Sequence, residues 1–203
     1  MDGISTFGRG SDFNQEIAIT KATAEAIERW VFLKSNHTNT SGFAAHLNLE
    51  LAIKNARNEL FERDAFFCHY LTKTAWQKQT LRPGENNNLN NIFTKSGFVI
   101  DVGYTEIFKN IFVSIVRCKE VQTKGITISL GCDDSLINAT TKSLIEGTQL
   151  LSHKLSNKKI STISLDKFMK LAMHSPEHHG MIANNGKYES IYEGTFNTSK
   201  VAI

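Results

Sequence analysis

AIKNARNELFERDAF, residues 52–66, is a near-copy of AITKATAEAIERWVF, residues 18–32. The two stretches match without a gap at Ala18/Ala52, Ile19/Ile53, Ala22/Ala56, Glu25/Glu59, Glu28/Glu62, Arg29/Arg63 and Phe32/Phe66. In both, apolar residues recur at three and four, the period of an amphipathic helix. The spacing predicts one helix from about Asp12 to Phe32 and a second from about Asn48 to Gln79. Ser11 or Asp12 and Asn48 are placed to cap the two starts.

The offset between the copies, 52 minus 18 or 34 residues, is also the period of tetratricopeptide arrays. Three features oppose an array: only two copies occur, strand-like sequence follows them, and a glycine-containing extended segment stands where each second helix would be. That segment, SNHTNTSGFAAHL, reads as a loop or short strand. From Leu81 to about Asn91, RPGENNNLNN is dense turn chemistry and predicts a surface loop.

From Gly97 to Gly131 the period changes. GFVIDVGY, NIFVSIVRC and GITISLG are rich in β-branched and aromatic residues, are joined by short polar connections, and predict an antiparallel meander. A third helix is expected from about Ser135 to Leu155, capped by Asp133-Asp134-Ser135, and a shorter one from Leu165 to Met173. The expected fold class is α+β, an antiparallel sheet packed with the pair of Glu-x-x-Glu-Arg helices.

Bulk properties narrow the function. A chain of 203 residues has the length of one domain, and no apolar run approaches a bilayer span. MDGISTFGRGSDF has no basic segment leading into an apolar core, so it is not a secretory signal, and a cytoplasmic location is expected. The net charge of +3 is spread along the chain without the clustering that a nucleic-acid interface needs. Cys68, Cys118 and Cys132 are odd in number and lack Cys-x-x-Cys spacing, which points to buried free thiols. Trp30, Trp76 and the Phe66-Phe67 pair read as core residues.

The repeated motif carries the chemistry. Residues three apart share a helix face, so Glu25 with Glu28, and Glu59 with Glu62, each present two carboxylates side by side. Arg29 and Arg63 stand four residues after the first glutamate of each pair and can bridge to it. Two such helices packed together, with small residues such as Ala22, Ala24 and Ala56 permitting approach, bring four carboxylates to one place. Like charges in a medium less polar than water repel strongly, and hard divalent cations relieve the repulsion. The same spacing also suits two solvated helical faces carrying i, i+4 ion pairs. Gly8-Arg9-Gly10 is either a plain turn or a phosphate cradle. His174, Glu177, His178 and His179 lack helical ligand spacing, and a loop meeting substrate or solvent suits them better than zinc.

These residues resemble the YcaO family. The resemblance rests on Thr40-Ser41-Gly42-Phe43-Ala44-Ala45 leading into Glu59-Leu60-Phe61-Glu62-Arg63-Asp64-Ala65-Phe66, and on the first Glu-x-x-Glu-Arg helix. Ala139-Thr140-Thr141-Lys142-Ser143-Leu144-Ile145-Glu146-Gly147-Thr148-Gln149 is similar to the family's third helix with its Glu-x-x-Gln element, and Ser175-Pro176-Glu177-His178-His179 to a segment that often follows. The similarity runs from about Thr6 to about Gly180.

It implies a protein that binds ATP with Mg2+ and phosphorylates a backbone amide oxygen of a peptide during azoline, thioamide or amidine formation. By the resemblance, Glu25, Glu28, Glu59 and Glu62 hold magnesium, and Arg29, Arg63, Glu146 and Gln149 contact ATP; Arg9 stands where the family often has a lysine. The implied partners are a peptide substrate and a leader-peptide-binding or partner protein, with no nucleic acid and no membrane; a homo-oligomer is compatible with the sequence. Phosphoryl transfer needs positioning and charge neutralisation more than a protein nucleophile.

The chain departs from the family pattern at Ala22, where a serine is expected, at His46-Leu47 in place of Gly-Asn, and at Leu51 in place of an acidic residue. It is also shorter, with only Leu33 to Leu47 between the first two helices. The expectation is a single YcaO-like domain over 1–203, compact or incomplete, most simply an azoline-forming enzyme. The alternative is a non-catalytic subunit that keeps the fold and binds a peptide or a partner enzyme.

Overall fold

A computed structural model describes residues 5–35, 37, 40–72, 74–81, 87–121, 126–156 and 196–197. In chain order the elements are α1 (Gln15–Lys34), α2 (Leu49–Thr72), β1 (Trp76–Gln79), α3 (Asn87–Lys95), β2 (Phe98–Phe108), β3 (Ile111–Glu120), β4 (Ile126–Asp133), α4 (Leu136–Ser156) and β5 (Phe196–Asn197). The sheet runs β4-β3-β2-β1-β5; its first four strands are antiparallel neighbours, and β5 pairs parallel with β1. The α+β class and the antiparallel meander are as expected.

Alternation along the strands sends side chains to two faces, and each face has its own core. On one face Val113, Ile115, Ile128, Leu130 and Cys132 pack with Trp76 and with Ala65 and Phe66 of α2. On the other, Phe98, Val102, Val116 and Cys118 pack with Leu89 and Phe93 of α3 and Leu144 and Leu151 of α4. The sheet is therefore covered on both sides. No residue of α1 is buried, and Trp30 is 46% exposed, contrary to its expected core place.

Several boundaries differ from the sequence expectation. Asn14 caps α1, its side chain accepting from the N–H groups of Glu16 and Ile17, while Asp12 pairs with Lys21 at 2.7 Å. Asn48 caps α2 as expected, accepting from Leu51 N at 3.0 Å. The second helix stops at Thr72, and Trp76–Gln79 is a strand paired with β2. Burial explains it: the Trp76 ring is 1% exposed in the core and stacks with His69, a placement that a continued helix would not give. The asparagine-rich run expected as loop ends in α3, because Leu89 and Phe93, four apart and both buried, outweigh the poor helix propensity of asparagine. The expected helix over Leu165–Met173 lies outside the described residues.

α4 lies close on the sheet through small and hydroxyl residues. Ser143 Oγ donates to Ser114 Oγ at 3.1 Å, and Ser129 Oγ donates to the Ser143 carbonyl at 2.7 Å. At Gly131 the approach is closest: a Cβ there would meet the Ala139 carbonyl oxygen at 2.3 Å and Ser143 N at 2.6 Å. Both atoms are helix backbone and cannot give way alone. Gly131→Ala is therefore expected to destabilise the fold by about 1–3 kcal/mol, the usual cost of overpacking. Urea denaturation measures it, and an unchanged midpoint would contradict this packing.

Candidate functional site

Among the described residues β4 is an edge strand, and every second N–H along it points away from β3. Two of these outward groups are held by carboxylates. Leu130 N donates to Glu146 Oε2 of α4 at 3.0 Å, and Cys132 N donates to Glu62 Oε1 of α2 at 2.6 Å. The helices come from opposite faces of the sheet and meet at its edge. The Cys132 carbonyl accepts from Asn58 Nδ2 at 3.2 Å and from Lys142 Nζ at 3.1 Å, and Lys142 also pairs with Asp133 at 2.5 Å.

The remaining glutamates are pinned in the same manner by loops. Glu59 accepts from Gly42 N at 3.1 Å through one oxygen and from Arg63 at 2.5 Å through the other, and Arg63 Nη1 also donates to Ser41 Oγ at 2.9 Å. Glu28 Oε1 accepts from Ala45 N at 2.7 Å. Glu25 accepts from the Arg9 backbone N–H and, at 2.7 Å, from Arg29. Arg29 Nη1 donates to the Phe7 carbonyl at 3.0 Å, and its guanidinium lies 4.8 Å from the Phe7 ring centroid. Both expected i, i+4 bridges are present.

The repeated unit is longer than a helix. At the same offset Thr6 matches Thr40, Gly8 matches Gly42, Asn14 matches Asn48 and Glu16 matches Glu50. Each copy is thus a glycine-bearing segment, an asparagine-capped start and a Glu-x-x-Glu-Arg helix. The small residues of α1 serve the segment before it rather than contact with α2. A Cβ on Gly8 would lie 1.9 Å from the Ala22 carbonyl oxygen, and one on Gly10 would lie 2.0 Å from that of Ala18. The 40–45 loop serves both helices, reaching Glu28 of α1 through Ala45 and Glu59 of α2 through Gly42.

Burial dominates the electrostatics. It pushes the Glu62 carboxyl up to about 8, helped by the charges of Glu146 and Glu59. Burial likewise raises Glu28 to about 7, with Glu59 and Glu25 adding repulsion, and Glu146 to about 7, with Arg63 opposing and Glu59 and Glu25 adding. Glu59 is raised by burial in spite of Arg63. Glutamates from three helices therefore feel one another's charge. Cys132, beside Glu62, is raised to about 12 by burial and then by that carboxylate, so its thiol stays protonated.

Glu25 and Glu59 engage both oxygens, whereas Glu28, Glu62 and Glu146 each leave one oxygen without a hydrogen bond among the described residues. Arg63 Nε is buried with no hydrogen-bond partner among the described residues. No group of three or more histidine, cysteine, aspartate or glutamate side chains forms a preformed ion cage among the described residues. This differs from the closed four-carboxylate cluster expected from the repeat. The donor set still fits magnesium, which commonly takes one or two protein carboxylates and completes its shell with phosphate oxygens and water. The orphaned Arg63 donor fits a phosphate oxygen.

Among the other expected residues, Gln149 lies on α4 one turn beyond Glu146, half-buried and without a hydrogen bond among the described residues. The Arg9 side chain is exposed beside the Phe7 ring, and only its backbone reaches the cluster. Cys118 and Cys132 are buried free thiols as expected, but Cys68 is exposed. Ser175–His179, with His174, lie outside the described residues. The sequence reading missed Asn58, Lys142 and the β4 donors. Asn58 is polar at a position facing the core, and its 6% exposure is the mark of a structural hydrogen bond.

The family model for YcaO, described as a cyclodehydratase binding ATP and Mg2+, matches residues 28–193. Curated protein sequences give no match. Among solved structures, a YcaO protein from Methanopyrus kandleri bound with AMPPCP and Mg2+ superposes with a TM-score of 0.64 at 14% identity, over 84% of this chain and 62% of that one. The E. coli microcin synthetase McbBCD complex with pro-MccB17 bound gives 0.56 at 17% identity, over 97% and 52%. The heterocyclase TruD gives 0.52 at 16% identity, over 72% and 20%. The chain thus spans less than two thirds of these structures, and at such identities the likeness is one of fold. The family match covers most of the chain, and this protein belongs to the YcaO family, whose ligands are ATP and Mg2+.

Proposed function

We propose that the chain is a compact YcaO-type domain that binds ATP with magnesium and activates a peptide backbone amide by O-phosphorylation, for azoline formation in a ribosomally made peptide. The observation that supports this best is the trio Glu28, Glu62 and Glu146. Each is tied by a backbone N–H through one oxygen and has the other unengaged. These three would hold magnesium, and Glu25 and Glu59 would orient Arg29 and Arg63 towards phosphate. Bound Mg·ATP supplies the phosphoryl group and the charge neutralisation; no nucleophile of the chain is needed. Gln149 and Arg9 complete the assignment as nucleotide contacts.

The peptide and a partner protein follow from the same reading, since a relative's structure is a multi-subunit complex holding its peptide. No helix among the described residues is long and apolar enough to cross a membrane, which agrees with a cytoplasmic place. One observation favours a non-catalytic binding subunit instead: Ala22 stands where the family pattern has serine.

The raised carboxyls have consequences for pH. An unfolded glutamate titrates near 4.3, so between about pH 4.5 and pH 8 the native chain holds protons that the unfolded chain has lost. Without metal, stability is therefore greatest near the lower end of this window and falls as pH rises through 7 to 8, the values to which Glu28, Glu146 and Glu62 are raised. Mg·ATP must displace those protons, so its affinity strengthens over the same range.

Melting of the metal-free chain is expected to occur at a lower temperature at pH 8 than at pH 5.5, and Glu62→Gln to shrink that difference; an unchanged difference would contradict the titration. By calorimetry the wild type is expected to bind ATP only with Mg2+, and Glu62→Gln to lower that affinity at least about tenfold. Absence of magnesium-dependent affinity in the wild type would favour the non-catalytic subunit. With substrate and partner present, ATP turnover by Glu59→Ala is expected to be at least about a hundredfold below wild type; equal rates would defeat the catalytic assignment.

A further inference from the structure

α1 has two working faces. The inner one belongs to the carboxylate cluster: Glu28, Glu25 and Arg29 reach Ala45, the Arg9 backbone and the Phe7 carbonyl. The opposite face carries Glu16, Thr20, Thr23, Ile27, Trp30 and Lys34, which stand four, three, four, three and four residues apart. That is the spacing of a seam along which two helices pair. All six are exposed, Ile27 at 49% and Trp30 at 46%. Ile19 and Val31 flank the seam on either side and are exposed at 58% and 41%.

The polar members of the seam are compatible with burial. Thr20 Oγ1 donates to the Glu16 carbonyl and Thr23 Oγ1 to the Ile19 carbonyl, both at 2.9 Å. With their hydroxyls satisfied inside the helix, the threonines present small, mostly apolar surfaces. The only charges on the seam are at its two ends, Glu16 in the first turn and Lys34 in the last.

The order of residues is self-complementary. When two copies of α1 lie antiparallel about a two-fold axis at residue 25, Glu16 of one meets Lys34 of the other, Thr20 meets Trp30, and Thr23 meets Ile27. Each pair sets opposite charges together or a small side chain against a large one. A parallel pair would instead set Glu16 on Glu16, Lys34 on Lys34 and Trp30 on Trp30, which like charge and bulk oppose. We propose that the outer face of α1 is a homodimer interface, occupied by α1 of a second copy of this chain in antiparallel register. The pairing leaves the inner faces, with Glu25 and Glu28, pointing away from each other. A helix pair about 30 Å long is a small interface, so a micromolar dimer is expected.

Sedimentation equilibrium of the full chain, without nucleotide or magnesium, tests this independently of the function proposed above. Between about 1 and 200 µM the mass is expected to rise from 22.7 kDa towards twice that value. Ile27→Asp is expected to weaken association at least about tenfold. Should that variant misfold by circular dichroism, the surface charges carry the test. Glu16→Lys alone and Lys34→Glu alone are each expected to weaken the dimer at least about threefold, and the two together to restore it. Dimerisation that none of these variants changes, or single reversals that the double variant fails to rescue, would overturn the proposal. A monomer at 200 µM would overturn it too, and shielding of Trp30 from iodide in that monomer would give the face to another part of the same chain.

Discussion

The hydrogen bonds from Leu130 and Cys132 of β4 to Glu146 and Glu62 join the sheet to the helices on both of its faces. An edge strand presents outward N–H groups that its own ladder leaves unpaired, and a carboxylate is the strongest acceptor a side chain offers. Using carboxylates for this places two buried acids within reach of each other's charge. The 40–45 loop then adds Glu59 and Glu28 through Gly42 and Ala45. Burial, and after it the charges brought together in this way, pushes Glu28 and Glu146 up to about 7 and Glu62 up to about 8, so that the metal-free chain tolerates them by holding protons. In the proposed site a divalent cation would do the same work better, in competition with those protons.

Much of this was legible in the sequence because it is periodic. The repeat at 34 residues located both carboxylate helices and the i, i+4 bridges, and alternation located the meander. Local pattern failed where burial decided the outcome. Trp76 ends α2 early by entering the core, and Leu89 with Phe93 make a helix of a run that reads as turns. Ala22 was read as a surface for a second helix, but the backbone of Gly8 and Gly10 lies there.

The β4 donors could not have been found from sequence, since a backbone N–H has no residue type. Which N–H groups face outward depends on sheet order and register, and both are tertiary facts. Glu146 shows the same limit from the other side. Nothing in the spacing of α4 sets it apart from an ordinary helical glutamate; only its likeness to a family helix did so, and the sheet edge supplies the physical reason. Asn58, buried at the same edge on the Cys132 carbonyl, completes a set of contacts that spans 74 residues of sequence.

Carboxylates fixed at one oxygen by the fold and open at the other would make the proposed metal site a preorganised one, with little rearrangement needed on binding. A crystal structure of the full chain with Mg2+ and AMPPCP measures this directly. The expected result is magnesium at about 2.1 Å from the second oxygens of Glu62 and Glu146, with the Cys132 and Leu130 hydrogen bonds kept and Arg63 Nε on a phosphate oxygen. Nucleotide and metal bound elsewhere, or Glu62 and Glu146 released from β4 to reach the ion, would contradict it.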